Sequence, residues 1–289
     1  MMRNGVCALA VALWAVALPL PGAADNIKGG DIFDRIVKTA ELEHWAKLPL
    51  QQVMQHVAME LTGTPYVAST LELSTDKEIP SANLLGLDCV TFFETTLDIA
   101  RMLRKGGHTH DDFMREIKLS RYRHGRPGDY TSRLHYTTDW FFDNQAKHVL
   151  VMEKGTAPFP KHVDFMSTHA QLYPSLKAHP ELVEKMKKIE QSINLHNKQL
   201  RFVPSEALGQ FESNLQTGDI VGIVTDVPGL DISHTGLVIV DEHNVPHFMD
   251  ASSKAGVNRV VLEPERLSDS IASRKHAIGA IFARPLDPR

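Results

Sequence analysis

Cys89 stands where the nucleophile of an acyl-transfer reaction would be expected, directly after Asp88, a residue type that caps helix N-termini. This order places the sulfur in the first turn of the following helix, near unpaired backbone N–H groups and the positive end of the helix dipole. Such surroundings favour thiolate over thiol, and the same backbone donors can stabilise an oxyanion. The local sequence therefore predicts attack by a Cys89 thiolate on a carbonyl carbon, with Asp88 in a supporting role.

A thiolate nucleophile needs a base that accepts and returns a proton, and histidine has the unperturbed pKa best suited to this task. The sequence contains 15 histidines, so position along the chain has to identify the base. His234 opens an apolar run at residues 235–240 and follows a turn-like segment, so a strand would hold it rigidly. A strand start can face the N-terminus of a helix packed on the sheet, which predicts His234 as the base.

A third group should orient the imidazole, and the next predicted strand offers two candidates. Asp250 and His247 both follow a predicted hairpin turn at residues 241–244. Because side chains alternate between the two faces of a strand, these two lie on opposite faces. Only one of them can point toward His234, and the residues alone leave both open.

The elements that must position these residues fall into two groups along the chain. Apolar positions at helical spacing predict two helices between residues 31 and 61, broken near Leu48, and a third that begins at Cys89 and stops at Gly106. Short runs rich in valine, isoleucine and aromatic residues predict strands at 219–225, 234–240, 245–250 and 277–283. Helices first and antiparallel strands later predict an α+β fold.

The middle third of the chain has a different composition. From His108 to about Pro204 it is rich in His, Tyr, Arg and Pro, and one amphipathic helix stands out by its apolar stripe between Leu182 and Ile193. This segment is predicted to be an insertion within a single domain that covers residues 25–289.

The first residues are typical of a secretory signal peptide. A charged start, an apolar run at residues 6–20 that is short for a membrane span, and small residues ending at Ala24 predict cleavage after residue 24. The mature protein would then be periplasmic or secreted, free of the membrane, and would keep Cys89 as its only cysteine. A net charge of −4 gives no basic footprint for nucleic acid, which is therefore excluded as the favoured partner.

Several short motifs, in order along the chain, resemble those of one family. The sequence is similar to the N-acetylmuramoyl-L-alanine amidase-like family, formerly a domain of unknown function, within the NlpC-type papain-like cysteine peptidase superfamily. The motifs are Gly63-Thr-Pro-Tyr66, Leu87-Asp-Cys-Val-Thr-Phe-Phe-Glu94, Tyr122-Arg-His-Gly125, Ser132-Arg-Leu-His-Tyr136, Asp139-Trp140, Asp219-Ile220, Leu230-Asp-Ile-Ser-His-Thr-Gly236 and Asp250-Ala-Ser-Ser253.

The resemblance implies a papain-like fold, with the nucleophile helix packed on an antiparallel sheet. It also implies hydrolysis of the amide between N-acetylmuramic acid and the L-alanine of the stem peptide, with peptidoglycan fragments as partners and no cofactor. Cys89 matches the nucleophile and His234 the base, while Asp250 stands where many relatives carry a histidine. Tyr66 matches a tyrosine beside the nucleophile whose hydroxyl could support the oxyanion.

The resemblance further predicts which residues meet the substrate. Guanidinium and aromatic groups suit the lactyl, carboxylate and sugar groups of muropeptides. The residues predicted to line the cleft are Arg133, His135, Tyr136, Trp140 and Ser233.

Three alternatives to this amidase remain open. A γ-D-glutamyl-diamino acid endopeptidase would share the fold and the catalytic residues, and a cell-wall binding protein could keep the fold without activity. A zinc amidase could use histidines such as His162 and His169, although no compact metal-ligand spacing occurs and no metal is predicted.

Overall fold

The computed structural model describes residues 26–288, so the predicted signal peptide at residues 1–24 lies outside the described part of the chain. Helices precede most of the sheet, as the sequence predicts. The principal helices are α1 (Gly30–Leu42), α2 (Leu50–Glu60), α3 (Cys89–Arg104), α4 (His110–Arg121), α5 (Thr137–Ala146), α6 (Phe165–Thr168), α7 (Pro174–Ala178), α8 (Glu181–Asn197), α9 (Leu208–Phe211) and α10 (Leu267–Ala272).

The strands form one large sheet and one short pair. They are β1 (Ile27–Lys28), β2 (Ala82–Asn83), β3 (Leu150–Met152), β4 (Ala157–Pro158), β5 (Arg201–Pro204), β6 (Ile220–Thr225), β7 (Ile232–Val240), β8 (Pro246–Ser252), β9 (Arg259–Arg266) and β10 (Ala277–Pro285). The large sheet has the order β4-β5-β10-β6-β7-β8-β9, with β3 also paired to β10. All its pairings are antiparallel, which confirms the predicted α+β class.

Helix α3 lies in the centre of the main core, between α2 and the sheet. Phe92, Leu97 and Ile99 on this helix are completely buried together with Leu237 of β7. Gly106 follows the helix with a φ of +77°, a left-handed conformation that glycine adopts at little cost. Because α3 is buried along most of its length, its N-terminus and Cys89 are held in a fixed position relative to β7 and β8.

The second face of the sheet packs against the C-terminal part of the chain. Val238 of β7 and Phe248 of β8 form a separate apolar cluster with Leu267 and Ile271 of α10. The strand register pairs Val238 with Phe248, so the even-numbered residues of these two strands share this face. His234 and Asp250 belong to this set.

The middle of the chain is only partly an elaboration on the core. Phe113 and Ile117 of α4 and Trp140 of α5 belong to the main core cluster, so these helices are part of the central fold. A distinct cluster includes Leu182, Met186 and Ile193 on the predicted amphipathic helix α8, together with Tyr130, Tyr136, Val163, Met166 and Leu176. The independently packed portion is therefore shorter than the predicted insertion of residues 108–204.

Strand β9 was not expected from the sequence. It pairs with β8 at the edge of the sheet, and its burial is irregular because charged residues at its ends face solvent. These exposed charges hide the alternation that identifies a half-buried strand. Within residues 26–288, no helix has the length and apolar character needed to cross a bilayer.

Candidate active site

Cys89 is the first residue of α3, and a reciprocal capping box fixes the start of this helix. The Asp88 carboxylate accepts a hydrogen bond from the Thr91 N–H at 2.8 Å, and the Thr91 hydroxyl accepts one from the Asp88 N–H at 2.9 Å. Among the residues described, the N–H groups of Cys89 and Val90 have no protein acceptor. The helix therefore presents free backbone donors and the positive end of its dipole beside the sulfur.

The Cys89 thiol and the His234 imidazole interact directly, and each shifts the ionisation of the other. Burial raises the pKa of Cys89, but the charge of His234 and a hydrogen bond with it outweigh this effect, so the thiol pKa lies below its ordinary value. Burial lowers the pKa of His234, but Cys89 and Asp250 more than offset it and raise this pKa to about 9. Both shifts favour a thiolate and imidazolium pair near neutral pH.

Asp250 orients the imidazole from the neighbouring strand. Its Oδ2 lies 2.5 Å from the Nε2 of His234, and its side chain has no exposed surface. With Nε2 bonded to the carboxylate, the Nδ1 atom of the same ring remains to exchange a proton with the thiol. The three side chains have the relative arrangement of the nucleophile, the base and the orienting carboxylate in a catalytic triad.

Gly236 leaves the space that this contact needs. It lies between His234 and Val238 on β7, and a Cβ atom added there would collide with the Met249 carbonyl oxygen and come within 2.8 Å of the Phe248 ring. The Phe248 ring packs instead with its centroid 6.0 Å from that of His234. A side chain at residue 236 would displace this ring and disturb the imidazole.

The structure distinguishes between the two candidates for the third group. His247 points away from His234, with its Nδ1 2.9 Å from the Glu265 carbonyl oxygen and its Nε2 3.4 Å from Asp241. The alternation of side chains on β8 thus brings Asp250, and not His247, to the imidazole.

Two hydroxyl groups complete the surroundings of the sulfur. Burial raises the pKa of Tyr66, and the nearby charges of Cys89 and Asp88 raise it further, so the phenol stays protonated and able to donate. The Thr235 hydroxyl lies near Cys89 and lowers the pKa of the thiol, and within residues 26–288 this buried hydroxyl has no hydrogen-bond partner. Both groups are placed to stabilise negative charge at this site.

A cavity of about 250 Å³ opens beside the nucleophile helix. Val90, the residue after the nucleophile, lines it together with Arg133 and His135, two of the predicted substrate-binding residues. Arg133 is held by Glu72 at 2.5 Å and by Glu78 at 3.4 Å. The cavity therefore contains an arginine that two carboxylates hold in place, and Val90 connects this cavity to the start of the helix that carries Cys89.

His135 is neutral in this cavity. Burial, together with the neighbouring Arg133 charge, holds its pKa well below the ordinary value, and its Nε2 lies 2.8 Å from the Tyr130 carbonyl oxygen. A neutral ring that donates from Nε2 leaves Nδ1 as a hydrogen-bond acceptor for a ligand.

The remaining predicted substrate residues lie elsewhere. Tyr136 and Trp140 are 2% and 1% exposed, and they bond to Glu190 at 2.7 Å and to Glu94 at 2.9 Å. Both side chains pack in the interior, and neither lines the cavity. The prediction that Tyr136 and Trp140 line the cleft is therefore corrected. Ser233 is exposed beside His234 on β7.

Two residues of the site were not identified from the sequence. Glu72 lies in a loop without regular structure, and Arg274 follows α10 and approaches Asp250 from the far side. Neither falls in a recognisable motif, so only the three-dimensional fold relates them to Cys89. His162 and His169 do not join a metal-binding group, since residues 26–288 contain no cluster of three potential ligands.

The coupled ionisation of Cys89 and His234 predicts an unusual pH dependence of thiol alkylation. An ordinary thiol has a pKa of about 8.5, and its alkylation rate rises with pH up to that value. We expect the rate at which iodoacetamide modifies Cys89 to be nearly constant already below this pH, because the thiolate is present there. Hydrolysis should fall as pH rises through about 9, because the imidazolium that donates a proton to the leaving group is then lost.

Peptide mapping by mass spectrometry would follow the modification of Cys89, with free N-acetylcysteine as the reference thiol. A rate for Cys89 that rises in parallel with the reference would contradict the ion pair.

Comparisons with known proteins find one matching family model and several similar solved structures. A family model described as N-acetylmuramoyl-L-alanine amidase-like matches residues 56–277. An N-acetylmuramoyl-L-alanine amidase from Bacteroides uniformis ATCC 8492 is 30% identical, with a TM-score of 0.73 over 82% of this chain and 98% of that chain. A putative xylanase from Bacteroides fragilis is 32% identical, with a TM-score of 0.66 over 79% and 99% of the two chains.

A protein from Legionella pneumophila strain Philadelphia 1 shares the fold at 20% identity, with a TM-score of 0.62 over 92% of this chain and 97% of that chain. A comparison with curated proteins gives no match.

Proposed function

Because this chain belongs to the N-acetylmuramoyl-L-alanine amidase-like family, we propose that it is an exported cysteine amidase that hydrolyses the bond between N-acetylmuramic acid and L-alanine in cell-wall fragments. The family supports a hydrolase that acts on peptidoglycan, and the cysteine mechanism rests on the site. The observation that carries it is the Cys89 thiol at a capped helix N-terminus, paired with an imidazole whose Nε2 lies 2.5 Å from Asp250.

The first step forms a thioester. The Cys89 thiolate attacks the lactyl carbonyl carbon, and the carbonyl electron pair moves onto oxygen. The free N–H groups of the first turn of α3 and the Tyr66 hydroxyl stabilise this oxyanion. Collapse of the intermediate breaks the C–N bond, and the His234 imidazolium protonates the departing L-alanine nitrogen.

The second step releases the acid. His234, now neutral, removes a proton from water as the water oxygen attacks the thioester carbonyl. The C–S bond breaks, the lactyl carboxylate leaves, and the thiolate and imidazolium are restored. Asp250 accepts the hydrogen bond from the Nε2 of His234 in both steps and keeps the Nδ1 atom of His234 directed at the reacting atoms.

The cavity beside Val90 suits the charged groups near the scissile amide. Arg133 supplies positive charge for a carboxylate, and the neutral His135 supplies an acceptor for an amide or hydroxyl group. A xylanase-like activity is not favoured, since glycoside hydrolysis uses two carboxyl groups that flank the sugar. The two carboxylates that line the cavity, Glu72 and Glu94, are each paired with an arginine, and Asp250 has no exposed surface.

Product identification from a defined muropeptide tests the proposal. The protein would be incubated with purified N-acetylmuramoyl-tetrapeptide, and the products would be identified by mass spectrometry. We expect a free lactyl carboxylate on the sugar and a peptide with a free L-alanine amine. Cleavage after γ-D-glutamate would assign an endopeptidase instead, and retention on sacculi without any product would assign a binding protein.

A further inference from the structure

Behind Asp250 lies a row of charges that the mechanism above does not use. Arg274 Nη2 lies 3.3 Å from Asp250 Oδ2 and 2.9 Å from Glu263 Oε1. Glu263 in turn accepts from Lys254 Nζ at 2.8 Å. With the catalytic pair included, the charges alternate in sign from Cys89 through His234, Asp250, Arg274 and Glu263 to Lys254.

Asp250 needs a compensating charge in this position. Its side chain is completely buried, and its Oδ1 atom has no hydrogen-bond partner within residues 26–288. A buried carboxylate with a single partner is costly to keep ionised, and a second cation reduces that cost. Arg274 provides this cation with a side chain that is 14% exposed.

Arg274 is also held rigidly. Its backbone N–H donates to the Ile271 carbonyl at the end of α10, and its own carbonyl accepts from the N–H of Ala277 at the start of β10. Its guanidinium carbon lies 4.9 Å from the centre of the Phe248 ring, which also packs near His234. The cation is thus fixed relative to both Asp250 and the imidazole.

We propose that Arg274 is a positioning residue of this active site, whose guanidinium holds the Asp250 carboxylate aligned against His234 and adds a positive charge behind the pair of Cys89 and His234. The inference rests on the proposed catalytic role of Cys89 and His234. It adds that the charge state of the thiolate depends on a residue that contacts neither the sulfur nor the substrate.

The groups that face this cluster determine the sign of the effect. They are His234 from β7, Glu263 from β9, Lys254 from the loop after β8, Asp88 and Cys89 at the start of α3, and Tyr66. Removing one positive charge raises the pKa of the Cys89 thiol, because the negatively charged thiolate loses a stabilising cation. When the pH is lowered, the thiolate would therefore be protonated at a higher pH than in the wild type. Removing one negative charge would have the opposite effect.

The rate of Cys89 alkylation by iodoacetamide as a function of pH tests the proposal without any cell-wall substrate. The acid limb is the part of the pH profile in which the alkylation rate rises with pH as the Cys89 thiol ionises. For Arg274→Met we expect this limb to shift to higher pH by about one unit, which makes the reaction about tenfold slower at any pH on the limb. Arg274→Lys keeps the positive charge, so its acid limb should lie close to that of the wild type. Glu263→Gln, a change of similar size, should move the limb downward, and it keeps the test valid if the methionine variant does not fold.

The matched control is Arg266→Met. Arg266 is the last residue of β9, the strand that also carries Glu263. Its guanidinium lies 2.7 Å from Glu212 and does not contact Asp250. This variant should leave the acid limb unchanged. A wild-type limb in Arg274→Met, or an equal shift in the lysine and methionine variants, would overturn the proposal. Because alkylation needs no muropeptide, a wrong assignment of the cleaved bond would leave this result intact.

Discussion

Replacement of Cys89 by alanine should lower the rate of muropeptide hydrolysis by roughly 10⁵-fold or more, since it removes the only atom able to form the thioester. Cys89→Ser should be nearly as inactive. A serine hydroxyl is far less acidic than a thiol, and a neighbouring imidazolium that stabilises a thiolate is a poor base for a hydroxyl. The measurement is the initial rate of L-alanyl peptide release, followed by chromatography.

The fold of these variants should remain intact. Cys89 is partly exposed, and alanine is favourable within a helix, so the melting temperature should change little. Near-ultraviolet circular dichroism and thermal unfolding provide the control. Full activity in a folded Cys89→Ala protein would eliminate the cysteine mechanism, although the protein would still belong to its family.

Asp250→Ala should reduce kcat by about 10²- to 10⁴-fold, because nothing then holds the proton on Nε2 of His234. The imidazole would lose its fixed orientation, and its positive form would lose a partner at 2.5 Å. Asp250→Asn should lie between alanine and wild type, since an amide oxygen can still accept the hydrogen bond but carries no charge. The rate is measured with saturating muropeptide.

His247→Ala is the matched control for this prediction. His247 lies on the same strand as Asp250, but it contacts Glu265 and Asp241 instead of His234. Its loss should leave kcat within about twofold of wild type, as expected for a change away from the reacting groups. A large loss for His247→Ala with normal activity for Asp250→Ala would reverse the assignment of the third residue.

The pairing of Cys89 with His234 could be predicted because each of the two residues carries a local signal. Asp88 before Cys89 marks a helix start, and His234 before an apolar run marks a strand start. Both signals arise from backbone hydrogen bonding among residues that are close in sequence. They therefore do not depend on distant parts of the chain. The choice between Asp250 and His247 was different, because alternation predicts opposite faces without saying which face meets His234.

The substrate residues show where local reasoning fails. Arg133, His135, Tyr136 and Trp140 are close in sequence, yet the first two line the cavity while the last two fill the interior. An aromatic residue at helical spacing can pack against a core or face a ligand, and only the neighbouring elements decide.

Four features follow from the amino-acid sequence alone: the helix that carries Cys89, the strand that carries His234, the α+β class and the resemblance to a family. Each of these depends on local hydrogen bonding, on the period of apolar residues or on short motifs. Three contacts become visible only when the chain is folded, because Asp250 meets the imidazole, Glu72 and Glu78 hold Arg133, and Arg274 lies behind Asp250. These contacts join residues from separate strands and loops, and their partners are set by how the sheet and helices pack, which no short stretch of sequence specifies.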